Sequence, residues 1–439
     1  MSGYSVSPSI KKHALAPVRQ IPGIKKSVRV LFYLFTLYIV LPLIDVPLLG
    51  LSLSAPIMFL IALETFFRPP FAQLSRCRRW VLFALCIWFG IFLSALLNGV
   101  LSGGTDFDSD GLIWIIRYAY WLLVFVITAY LISEGELWPI INRLLAWGVL
   151  ALAIMRWIEV LLYGNLGAWT RTHLISQNTY GLLFSTFSPF LFTWLLEVRG
   201  SQRWLATAAN LILWAAAAIN GSRGSWVAIA IMVVVQLLLF LSVHPRSTIP
   251  LAIVLLFAAG LGMLVLSTTN LVSNAVESRF STFNNLEQDK SYQIRKLMNQ
   301  KSMRLFAESP IIGVGASRFR KESVPLDIPF VLSYAGQEHF DVKSSHNSYL
   351  GFLAETGLAG AIPYGLLLIS LTVRGSLSAL RLVRRGQFWP AAVLGTFVGM
   401  SIHMWAINSL TGSSTWFVYG LVAAMIVTAS RARKNKQTT

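Results

Sequence analysis

Ser344 to Gly360 reads SSHNSYLGFLAETGLAG, a polar segment with one histidine running directly into an apolar stretch of membrane length. Ser344 and Ser345 are good helix N-caps, so a helix is expected to begin beside His346. Its open N–H groups and positive dipole end would suit an anion and would favour a neutral imidazole. A neutral imidazole is the form a general base needs. Gly357 and Gly360 lie one turn apart and would let a neighbouring helix come close.

Arginines outside this stretch supply the complementary chemistry. Arg223 sits in a short turn, NGSRGS from Asn220 to Ser225, where flanking glycines bring the backbone close to whatever the guanidinium contacts. Asp289 to Phe306 reads as an amphipathic helix with Ile294, Leu297, Met298, Leu305 and Phe306 on the apolar side and Arg295, Lys296, Lys301 and Arg304 elsewhere. Pro310 and the IIGVG of Ile311 to Gly315 then turn the chain. Arg171, with Asn178 seven residues on, lies in another connection. Arg117, and Arg156 with Glu159, fall inside apolar runs and are candidates on that ground; the last two are three residues apart and can simply pair.

The elements that must position these groups are membrane helices. Of the 439 residues, 55% are hydrophobic and 12% charged, which excludes an ordinary soluble protein. About twelve apolar runs approach the length of a bilayer core, at 28–45, 51–67, 80–100, 112–132, 139–163, 178–197, 204–220, 225–243, 249–269, 346–373, 388–406 and 413–430. The expected division is an N-terminal tail 1–27, nine spans over 28–269, a loop or lid 270–345, three spans over 346–430 and a tail 431–439. The fold class is all-α and polytopic. The net charge of +18 collects on alternate connections and on both tails, the positive-inside pattern, and does not indicate a nucleic-acid partner. Both termini are therefore expected in the cytoplasm, with His346, Arg223, Arg171 and Arg295 together on the opposite face. The first apolar run lacks a clear cleavage site and is expected to be retained.

Several other chemistries find no support. Asp106, Asp108 and Asp110 imitate the first half of a calcium loop, but Arg117 stands where the bidentate acid belongs. There is no P-loop, no HExxH, no nucleophile elbow, and Cys77 and Cys86 imply neither a disulfide nor a metal site. No metal and no cofactor is expected.

His346-Asn347 followed by Gly357-x-x-Gly360 resembles the signature of the O-antigen ligase and polymerase superfamily. The Ser-Arg-Gly around Arg223, the Arg171 pattern and the arginine-bearing helix before the GVG turn resemble further motifs of the ligases. The resemblance implies a GT-C-like glycosyltransferase with one large periplasmic loop in the bacterial inner membrane. It would move O-antigen from undecaprenyl diphosphate to lipid A-core. His346 would be the base, and Arg223 and Arg295 would serve the leaving diphosphate. Arg171, Asn347, Arg304 and Arg117 are the expected substrate contacts. The alternatives are a polymerase of the same superfamily, a protein O-oligosaccharyltransferase or a polytopic glycolipid exporter or flippase.

Overall fold

The computed structural model describes residues 24–42, 54–66, 77–101, 109–135, 137–163, 174–246, 248–249, 253, 289–326 and 344–437. Among them the chain forms helices and no strand. In order these are α1 (Lys26–Val40), α2 (Ser54–Phe66), α3 (Arg78–Leu101), α4 (Ser109–Gly135), α5 (Trp138–Tyr163), α6 (Gln177–Glu197), α7 (Ser201–Ile219) and α8 (Arg223–Leu241). They continue as α9 (Lys290–Glu308), α10 (Phe319–Ser323), α11 (Ser348–Val383), α12 (Trp389–His403) and α13 (Ser413–Gln437). The chain is a multi-pass membrane protein. Among the described residues, seven helices are long and apolar enough to cross a bilayer: α3, α5, α6, α8, α11 and the apolar parts of α4 and α13. Helices stand at four further expected places, of which α1, α2 and α12 are shorter; the run 249–269 lies outside the described residues apart from two positions.

Leu82, Leu85 and Phe89 of α3 and Val234 and Leu238 of α8 are exposed, as lipid-facing positions should be. Where helices meet, small and polar residues let the backbones approach. A Cβ placed on Gly399 of α12 would run into the Ser185 carbonyl of α6. Gln236 of α8 donates to the Pro189 carbonyl and to Thr193 Oγ1 of α6, at 3.0 and 2.7 Å. Such bonds hold helices together in a medium that supplies no hydrophobic drive between them. The α6, α8, α12 group fixes the start of α8 and the end of α12, which carry part of the site.

The centre of the molecule is a break in α11. Gly357 has φ 57° and ψ −157°, so the helix is two pieces joined at a non-helical residue. Continuous helix would bond Leu358 N–H to Ala354 and Ala359 N–H to Glu355. Instead Leu358 and Ala359 donate to the carbonyls of Pro310 and Ile311, both at 2.9 Å, while Ala354 and Glu355 accept from Val314 and Gly315, both at 3.0 Å. The 310–315 turn is strapped into the break, and these four backbone groups of α11 are paired by it. Asn98 of α3 braces the strap by donating to Gly313, and Ser94 donates to Glu355 O. Gly360 receives a neighbouring helix as expected, because a Cβ on Gly90 of α3 would strike it. Gly357 does something else: it receives the strap rather than a helix.

Gly357→Ala should therefore be costly. Its φ and ψ belong to a region populated essentially by glycine, a strain of order 1–3 kcal/mol. The new methyl would also come within 2.5 Å of Ile311 and Gly313 backbone atoms. Gly365→Ala, where the methyl meets open space, should be neutral or stabilising. Thermal unfolding in detergent, with limited proteolysis of residues 309–326, checks the pair; an equal melting temperature for both variants would contradict the role given to the strap.

Candidate functional site at the α8, α9 and α11 N-termini

His346 occupies a corner immediately before α11. It adopts φ 51°, the left-handed region, which a histidine enters more readily than most residues yet still at a cost. Both neighbours are pinned. Ser345 is buried and donates to the Asn347 carbonyl at 3.0 Å, and a Cβ on Gly351 would collide with it. Asn347, 1% exposed, places its Oδ1 on the N–H groups of Tyr349 and Leu350. The imidazole is thus held half-buried on a corner that the chain around it determines.

The helix cap is Asn347, not Ser344 or Ser345, and this corrects the expectation of an anion site there. Ser348 N–H donates to the Met404 carbonyl at 2.9 Å, Tyr349 and Leu350 to Asn347 Oδ1, and Gly351 to Asn347 O. The first turn has no donor left to offer, so anion binding falls to side chains. Asn347, expected to contact substrate, has its oxygen engaged in the cap, and its Nδ2 is buried with no described protein partner.

Those side chains converge from α8 and α9. Arg223, the first residue of α8, meets Asp289 at 2.6 Å, both largely buried. Asp289 also accepts from Tyr292 N–H at 2.8 Å, so one carboxylate caps α9 and ties it to α8. One turn into α9, Arg295 donates from Nε to the Ala406 carbonyl at 3.2 Å and from Nη1 to Ser291 Oγ at 2.8 Å. Burial and then the nearby charge of Arg223 push its pKa below the usual guanidinium value, while Asp289 opposes them. Two cations held together in partial burial form a site that an arriving anion stabilises.

The connection after α12 links this pair to the histidine corner. Ala406 accepts from Arg295, and a Cβ on Gly224 would touch Ala406. Two residues earlier Met404 accepts from Ser348, and Ser348 Oγ donates to Ile407 at 2.7 Å. Residues 404–407 thus meet Arg295 itself, Gly224 next to Arg223, and Ser348 two residues after His346, so the three distant stretches that carry these side chains share one connection.

The remaining candidates sort by environment. Arg304 is exposed and pairs with Glu308 at 3.2 Å. Lys301, expected on the polar side of α9, is instead 2% exposed and donates to the Ser323 carbonyl at 2.7 Å, holding α10. Arg117 lies over the Trp114 ring, 5.2 Å from its centroid. Arg156 and Glu159 do pair, at 3.1 Å within a buried cluster that includes the Tyr180 ring. Arg171 lies outside the described residues.

Four contributors escaped the sequence. Asp289 was visible only as the start of a helix. Glu355 is half-buried and accepts from Phe319 N–H at 3.4 Å, so it fixes the residues after the strap. His403, 1% exposed, has Nδ1 3.0 Å from Ser185 Oγ and sits behind Gly224. Trp405 is 61% exposed beside Tyr349. Nothing in local spacing connects the last two to the histidine corner, because the link is tertiary.

None of the curated proteins matches the chain. The family model described as O-antigen ligase matches residues 208–365, a stretch that contains α8 with Arg223, α9 with Arg295, the strap and the His346 corner. The segment that carries the converging arginines and the histidine in this multi-pass chain is thus similar to the O-antigen ligase family.

Proposed function

We propose that the protein is a lipopolysaccharide O-antigen ligase of the bacterial inner membrane, transferring the glycan from undecaprenyl diphosphate to lipid A-core on the periplasmic face. The observation that supports it most is that the segments carrying Arg223, Arg295 and His346 all meet one connection, residues 404–407. In this reading there are twelve spans in a GT-C-like arrangement, with both termini cytoplasmic and 270–345 forming the periplasmic loop. Charge placement along the sequence favours that orientation.

The reaction needs a base and an anion-stabilising pair. An acceptor hydroxyl oxygen attacks the anomeric carbon as His346 takes its proton. The bond from that carbon to the diphosphate oxygen breaks, and the electron pair leaves with the diphosphate. Arg223 and Arg295, bidentate and permanently charged, stabilise the charge that develops there. In the resting site Asp289 neutralises part of the cluster; the diphosphate would take over that role. A single displacement inverts the anomeric configuration. The donor arrives already activated in the membrane, so no cofactor enters.

A strain lacking the protein tests the assignment. The expected phenotype is lipopolysaccharide ending at the core with polymer accumulating on its lipid carrier. Short capped chains would instead identify a polymerase, and donor trapped on the cytoplasmic face would identify an exporter.

A further inference from the structure

Beside α9 runs an open groove of about 1020 Å³, at the upper end of the range for small-molecule sites. We propose that it binds the acceptor glycan and that it selects an oligosaccharide carrying phosphate groups. The inference rests on the transferase reading above and names the substrate chemistry of that site.

Three cations line the groove, Arg295, Lys296 and Arg304, and none of its described lining residues is acidic. Lys296 and Arg304 are exposed, and the pairing of Arg304 with Glu308 is a solvated one that an incoming anion can displace. The other lining groups are those that bind sugars. Asn299 offers an amide able to donate and accept, matching hydroxyls. Tyr292 and Trp405 offer rings with an apolar face and a polar edge. Trp405 is the informative member. A tryptophan at the end of a membrane helix is ordinarily a belt residue, but this one stands in a wall shared with three cations and belongs to the connection that anchors Arg295 and Ser348. A sugar stacked on it would lie next to the His346 corner.

The groove is better suited to acceptor than donor. The diphosphate is assigned to the Arg223 and Arg295 end, whereas Arg304 lies nine residues further along α9, about 13 Å at helical rise. A cation that far from the leaving group does not assist its departure. It fits an anionic substituent on the attacking glycan.

The test is binding of delipidated core oligosaccharide to the purified protein, intact or enzymatically dephosphorylated, with transfer measured in parallel. Dephosphorylation should weaken binding about 10-fold, the value of one charge-assisted contact. Lys296→Gln with Arg304→Gln, both exposed positions, should weaken the phosphorylated ligand alone and erase the difference. Trp405→Ala should weaken both ligands. Equal affinity for the two oligosaccharides in wild type, or displacement of the oligosaccharide by vesicles of anionic phospholipid, would overturn the proposal. Transfer without discrimination would sink the groove and spare the ligase reading; discrimination without transfer would do the reverse.

Discussion

His346→Ala is expected to lower kcat for glycan transfer by roughly 10²- to 10⁴-fold, the range for removing a positioned general base. Donor affinity should stay near the wild-type value, because the arginines that hold the diphosphate belong to α8 and α9. The position also carries a backbone demand, φ 51°, which complicates a simple alanine replacement. His346→Asn separates the two effects. Asparagine tolerates the left-handed region but offers no basic nitrogen. Loss of activity in both variants means the imidazole takes part in chemistry; near-normal activity in His346→Asn would mean that only the corner's backbone matters.

The second large effect is expected at the guanidinium pair. Arg295→Ala should lower kcat by about 10²- to 10³-fold, as when one donor to a developing anion is removed. Arg295→Lys should recover only part of this, since a point charge loses the bidentate fork. Arg223→Ala belongs to the same class, but it also leaves Asp289 without its 2.6 Å partner, and Asp289 caps α9. Arg223→Ala should therefore reduce thermal stability more than Arg295→Ala does. Because both arginines act on one group, the double variant should lose less than the product of the single losses. Steady-state kinetics over donor and acceptor concentrations, paired with melting curves, read all of these. A multiplicative double variant would contradict a shared diphosphate.

How legible the protein was in its sequence depended on range. Helices reported themselves through composition: eleven of the twelve expected runs coincide with a described helix. The amphipathic helix after Asp289 was readable because Ile294, Leu297, Met298 and Leu305 repeat at helical spacing, and those four are buried. Lys301 misled that reading because its ammonium is drawn inward to a carbonyl, Ser323, that belongs to a different element. The cap at His346 was misplaced for a related reason. Ser344, Ser345 and Asn347 are all cap formers, and only the fold decides which one aligns with the first turn. Gly357 was recognised as a point of close approach. The identity of its partner, a turn some forty residues earlier, had no local signature. The same limit hid residues 404–407, whose carbonyls organise the site, since backbone acceptors leave no mark on residue type.

The most direct measurement is glycan transfer by the purified protein from lipid-linked O-antigen to lipid A-core, with chelator present, comparing wild type with His346→Asn and Arg295→Lys. The account predicts that wild type forms the conjugate, that Arg295→Lys is slow, and that His346→Asn forms almost none while still binding donor. Full activity in His346→Asn would contradict the assignment of the base. Extension of the lipid-linked glycan with lipid A-core ignored would contradict the ligase.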